Sequence, residues 1–416
     1  MGQDRGRARP RGEESPEPPR PGLAPAAGAA RAGGRLSALD PARVPLSLYV
    51  HVPWCVRKCP YCDFNSHPLA GEVPEAEFLA ALEADLEAEA ERAGGRLVDT
   101  IFFGGGTPSL LSGEALARLM AAIRRRLPLA PNAEVTLEAN PGTFEAARFA
   151  AYAQAGVNRL SLGVQSFDDA ALRRLGRIHD GAQARAALAA AVRTFARVNV
   201  DLMIDLPGQS PAAALADVET ALAGGATHLS CYQLTIEPNT PFAAAPPTLP
   251  ADEEMAAIEE AVEDRLMRAG FVHYEVSAWA LPGESCRHNL NYWSFGDYLG
   301  VGPGAHGKLS TPGGIVRRMK HKHPRRYLAA RAPFVQEESR VVPESLPFEF
   351  LMNALRLHAG VPREWFASRT GLSLDALASH WARLEAQGLV EPLAWRIAPT
   401  ERGWRLLNTL LEEFLP

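Results

Sequence analysis

The chain has 416 residues, 47% hydrophobic and 22% charged, a composition expected of a soluble globular protein with one large domain and a small one. Forty-three basic against 48 acidic residues give a formal charge of -5, which argues against a broad nucleic-acid-binding face. No apolar run is long enough for a membrane span, and five cysteines are too few for a secreted disulfide scaffold.

Residues 1–42 are rich in Pro, Gly, Arg, Glu and Ala, carry no aromatic residue and show no hydrophobic period, so a disordered tail is expected. No apolar run there forms a secretory signal, and Asp4, Glu13, Glu14 and Glu17 count against a mitochondrial presequence. From Pro45 short apolar runs alternate with alanine-rich helical patterns. Strands are expected at 46–52, 98–103, 134–139, 159–164, 199–204 and 229–236, and helices at 75–92, 113–126, 144–155, 182–196 and 253–268, with a further helix opening at Ser210 and Pro211.

Strands alternating with helices mean an α/β fold with a parallel sheet. A doubly wound sheet and a partial (β/α) barrel both fit the periodicity. Polar or glycine-rich marks follow the ends of successive strands, which favours the barrel over a crevice at one switch point. The core domain is expected over 43–340. A small winged-helix-like α+β domain is expected over 341–416, with strand-like runs at 389–392 and 394–397 and a final helix carrying Trp404, Leu407, Leu411 and Phe414. Its candidate recognition helix, 374–387, has one arginine against two acidic residues, so a packing role is expected rather than DNA binding.

Cys55, Cys59 and Cys62 form a C-x3-C-x2-C set in the loop after the first strand, while Cys231 and Cys286 stand alone. A zinc site would need a fourth ligand, with His51 or His67 the nearest histidines. Three thiolates can instead hold three irons of a [4Fe-4S] cluster and leave the fourth open. An oxygen-labile cluster agrees with a reducing, cytoplasmic compartment.

This spacing, with Tyr61 just before the third cysteine, closely resembles the signature of the radical S-adenosylmethionine (SAM) superfamily. The resemblance implies that the open iron chelates the amino and carboxylate groups of SAM, and that one electron can cleave the sulfonium to methionine and a 5'-deoxyadenosyl radical. It also implies a glycine segment at Gly105, Gly106 and Thr107 that pairs with SAM's amino group. Tyr49 joins the cofactor-binding set. Glu138 and Arg177 are placed at the methionine end, Gln165 and Asp201 at the ribose hydroxyls, and Met203 beside the adenine. The run Gly302 to Gly307 formally reads G-x-G-x-x-G, but the sequence after it cannot open the required helix, so a dinucleotide fold is rejected.

Within the superfamily, residues 45–416 are similar to the oxygen-independent coproporphyrinogen III oxidases and their relatives, including the Glu237-Pro-Asn-Thr-Pro-Phe242 segment. Those oxidases carry a further cysteine where this chain has Phe64. Their N-terminal substrate arm also has no counterpart in 1–42. The run His288-Asn-Leu-Asn-Tyr292-Trp293 is similar instead to a heme-chaperone branch of the family. That branch implies heme binding. Independently, histidine is a common axial ligand to heme iron, so His288 is the expected ligand, with Tyr292 and Trp293 against the porphyrin and Cys286 or His306 as alternate ligands. The branch further implies transfer of heme to apo-hemoproteins, with respiratory-chain recipients met by peripheral docking at the membrane, and it leaves a homodimer open. Porphyrinogen decarboxylation is the alternative activity.

Overall fold

A computed structural model describes residues 38–143 and 146–415. Six strands and the helices between them build its centre: β1 (Leu46–Val52), α1 (Glu75–Ala93), β2 (Val98–Gly105), α2 (Gly113–Arg126), β3 (Leu129–Ala139), α3 (Ala146–Ala155), β4 (Arg159–Gln165), α4 (Gly181–Thr194), β5 (Arg197–Ile204), α5 (Pro211–Ala223) and β6 (His228–Gln233), followed by α6 (Asp252–Arg268). Adjacent strands pair in chain order and in parallel. Parallel strands covered on the helical side need apolar residues at every second position. Leu48, Val50 and Val52 of β1, with Ile101 and Phe103 of β2, meet that need and are buried in the main core with Phe78, Leu82 and Leu86 of α1.

Helix starts follow local chemistry. Ser112 and Ser210 accept from the third residue onward, and Asp180 closes a capping box with Gln183. The expected helix at 144–155 is described from Ala146; residues 144 and 145 lie outside the described residues.

The sheet has twelve strands, more than expected. After α6 come β7 (Val272–Glu275), β8 (Ala278–Ala280), α7 (Arg287–Trp293), β9 (Asp297–Val301), β10 (His306–Thr311), β11 (Gly314–Lys320) and β12 (Val335–Arg340). The strand order is β12-β11-β10-β9-β1-β2-β3-β4-β5-β6-β8-β7, an opened barrel with antiparallel wings. The pairs β9–β10 and β10–β11 are antiparallel, and residues 302–305 turn between β9 and β10, which agrees with rejecting a dinucleotide fold there.

The C-terminal region holds α8 (Leu346–Ala354), α9 (Glu364–Thr370) and α10 (Asp375–Ala386). Its strands differ from expectation: Arg396–Ile397 pairs with Val361–Pro362, and Val390 only bridges Pro399. The last helix is two, Glu401–Arg405 and Leu407–Glu412, because Leu406 leaves helical geometry at φ -112 and ψ 30. Phe350, Phe366, Leu377, Trp381 and Leu384 form its core, which also takes in Phe295 and Ile315 from the barrel side.

The expected disordered tail is corrected at its end. Leu39 is buried in this second core, and the Asp40 side chain caps a short helix at Pro41–Arg43. Residues 1–37 of that tail lie outside the described residues. No helix among the described residues is long and apolar enough to cross a membrane.

Candidate functional site

The cysteine loop leaves the C-terminal end of β1 and is tied down on three sides. Arg57 donates to the carbonyls of Gly176 and Arg177. The Asn65 amide donates to Pro303 at 2.9 Å and Lys322 at 3.0 Å. The Phe242 amide donates to Pro60 at 3.0 Å. Gly176, at φ +66, lies so close to Pro60 that a Cβ would stand 2.8 Å from the proline ring.

All three sulfurs meet polar groups within this frame. The Thr107 hydroxyl is 3.5 Å from Cys55 Sγ, Arg177 Nη1 is 3.4 Å from Cys59 Sγ, and Ser66 Oγ is 3.7 Å from Cys62 Sγ. Burial raises the Cys55 thiol, the Thr107 bond opposes the rise, and Cys62 and Cys59 add to it. Arg177 Nη1 also lies 3.4 Å from the Tyr61 hydroxyl, and Nη2 donates to the Gly163 carbonyl at 2.6 Å. Burial works against the Arg177 charge, but Tyr61 and Cys59 outweigh it and raise its pKa.

The strand ends supply a second set. The Gly105 amide donates to Glu138 at 3.2 Å. A Cβ on Gly106 would stand 2.5 Å from the Trp54 carbonyl, so glycine there lets the two strand ends approach. Burial first, then the charge of Asp201, pushes Glu138 up to about 8, partly offset by the Gly105 bond. Asp201 accepts from Ser161 at 3.1 Å and Asn199 at 2.7 Å, and burial raises its pKa. Gln165 is left-handed at φ 69, and a Cβ on Gly163 would meet both its amide and Arg177. Met203 is buried in a small apolar cluster against which Tyr61 and Phe242 pack.

A cavity of about 540 Å³ opens beside this set, within the size range of small-molecule sites. Gly105, Glu138 and Tyr49 line one part; Tyr292, Trp293 and Tyr298 line another. Met352 and Asn353 of α8 also reach its wall. The structure therefore brings Tyr292 and Trp293 to the same cavity as the expected SAM-end residues. His288 is not among its lining residues.

The His288 ring is 1% exposed, with Nδ1 2.8 Å from the Thr100 hydroxyl and Nε2 3.0 Å from the Tyr292 hydroxyl. Thr100 gives its own proton to Ser47 at 2.7 Å, so His288 Nδ1 carries the proton and Nε2 accepts from Tyr292. Burial first, then Arg159, lowers its pKa to about 3, which keeps the ring neutral. In this geometry neither ring nitrogen is free to ligate iron. Cys286 is equally sealed: it is 1% exposed, its sulfur lies 3.6 Å from Glu134, and burial raises its pKa to about 11.

His51, the zinc alternative, also has both nitrogens engaged, by the Tyr49 hydroxyl at 2.9 Å and the Asn65 carbonyl at 2.9 Å. Among the described residues no group of three or more His, Cys, Asp or Glu side chains is gathered tightly enough for a single metal ion. The donor set suits a larger group. Three soft sulfurs share one pinned loop, and Arg177 keeps a buried Nε without a partner beside them. Sequence reasoning missed Arg57 and Asn65, which brace the loop, and Arg317 of the cavity wall. Their roles arise from tertiary register and leave no local signal.

The Radical SAM superfamily profile matches residues 49–221, and the HemN C-terminal domain profile matches 341–406. Heme chaperone HemW of Escherichia coli is 51% identical over 375 residues, covering 89% of this chain and 98% of that protein. The chain belongs to the HemW family of the radical SAM superfamily. Heme chaperone HemW of Haemophilus influenzae is 48% identical over 379 residues, with 89% and 98% covered. A mitochondrial radical S-adenosyl methionine domain-containing protein 1 from Bos taurus is 38% identical, with 82% of this chain and 76% of that protein covered. The solved coproporphyrinogen III oxidase HemN of Escherichia coli superposes at a TM-score of 0.76 over 90% of both chains; at 23% identity the likeness is one of fold.

Proposed function

We propose that this chain is a heme chaperone, binding heme and passing it to apo-hemoproteins under control of a [4Fe-4S] cluster and SAM. The observation that carries the reading is 51% identity to a heme chaperone across 98% of that protein's length. The cavity supports it, since aromatic walls beside a polar strand-end set suit a flat apolar ring with charged edges.

In this reading Cys55, Cys59 and Cys62 hold the cluster, which when bound supplies an electron and one open coordination position. Gly105, Gly106 and Thr107 frame the amino end of SAM, with Glu138 and Arg177 nearby. Tyr61 orients Arg177, Gln165 and Asp201 meet the ribose, and Met203 lies toward the adenine. Tyr49, Tyr292 and Trp293 wall off the heme. The domains divide at 43–340 and 341–416, as the extent of the HemN C-terminal profile supports. Cytoplasmic residence, peripheral docking on respiratory-chain recipients and a homodimer belong to the same proposal.

An anaerobic assay tests it. The reconstituted protein is expected to bind hemin and deliver it to an apo-hemoprotein without converting coproporphyrinogen. Porphyrinogen decarboxylation without hemin transfer would reverse the reading in favour of the oxidase.

A further inference from the structure

Two of the eleven histidines line the cavity, His51 and His306. His51 has both ring nitrogens engaged. His306, at the first position of β10, has an exposed side chain, and no described residue hydrogen-bonds its ring. Partial burial first, then the charges of Lys322 and Arg317, lower its pKa, and Glu337 opposes them. Arg317 lines the same cavity. Its Nη2 and Nε hold Glu349 at 2.6 and 3.2 Å, while Nη1 makes only a long contact of 3.4 Å to Tyr298. Lys308 also lines the wall, but its ammonium is bound to Phe295, Gly296 and Asp297. Trp293 also lines the cavity, and its buried Nε1 has no hydrogen-bond partner. An open imidazole, a cation with an edge to spare and an unpaired indole N–H around one aromatic-walled space match the metal and carboxylates of a metalloporphyrin.

Resting on the heme-chaperone reading, we propose that His306 is the protein ligand to the iron of bound heme and that Arg317 receives a propionate. His288 then acts as a positioning residue that holds Tyr292 at the cavity wall. One imidazole lone pair is donated to ferric iron and displaces a water or hydroxide; no oxidation state changes.

Hemin titration of the full-length, anaerobically reconstituted protein tests this by absorption spectroscopy. His306→Ala, whose fold is checked by circular dichroism, is expected to lose the histidine-ligated spectrum and bind hemin at least about tenfold more weakly. Added imidazole is expected to restore the parental spectrum. Arg317→Gln should weaken binding while keeping that spectrum, and His288→Gln, which frees Tyr292, should weaken binding as well but keep the histidine-ligated signature. A parental spectrum and affinity in His306→Ala, or loss of the histidine signature in His288→Gln alone, would overturn the ligand assignment and leave the chaperone reading intact. A parent that binds no hemin would overturn both.

Discussion

Glu138 lies where the barrel interior meets the cavity, and its ionisation is tied to folding. Its carboxyl, raised from 4.5 to about 8, keeps its proton after the unfolded chain has released one, so this contribution to stability declines as pH rises between those values. Glu138→Gln removes the dependence. The melting temperature of the variant should gain on the parent from about pH 5 to about pH 8, and parallel curves would contradict the assignment. Cys59→Ala should lose reconstituted iron while keeping the parental circular dichroism; unchanged iron content would remove Cys59 from the ligand set. The cysteine set stands out in the sequence because its C-x3-C-x2-C spacing is local to one loop. Arg317 and Asn65 do not, because strand register and a contact spanning 238 residues put them in place.

At the scale of elements, α7 is a plug of polar contacts inside the barrel. The Glu134 carboxylate accepts from the Arg287 and His288 amides and from Arg197, and His288 joins Tyr292 to Thr100 of β2. His288→Ala leaves a cavity and two hydroxyls without that partner, and should lower unfolding stability by about 2–4 kcal/mol in denaturant titrations. A loss below about 0.5 kcal/mol would mean that α7 packs independently of this ring. The parallel strands were readable from alternating apolar runs, and the bounds of β1 and α2 agree with expectation. Strands β10 and β11 were hidden for a physical reason. Lys308 and Lys320 are fully buried in them, neutralised by Asp297 and by Asp85 with Glu89, and such paired charges break the apolar pattern that marks a strand.

Across the whole molecule, the C-terminal region and the barrel share one apolar core. Leu39 enters from the N-terminal side, Phe295 and Ile315 from the barrel, and Phe350 with Trp381 from the C-terminal helices. Leu39→Ala should therefore cost about 2–4 kcal/mol, and calorimetry should show one transition rather than separate barrel and C-terminal ones. Placement of functional marks at successive strand ends was enough to choose the barrel. The small C-terminal domain was readable as helices but less so as strands, because two-residue strands carry no periodicity. The proposed heme-chaperone chemistry depends most on a cluster held by the cysteine loop. Anaerobic reconstitution followed by metal and sulfide analysis should give about four irons and four acid-labile sulfides per chain, and reduction with dithionite should then give an electron paramagnetic resonance signal that SAM perturbs. Stoichiometric zinc with neither iron nor sulfide would contradict it.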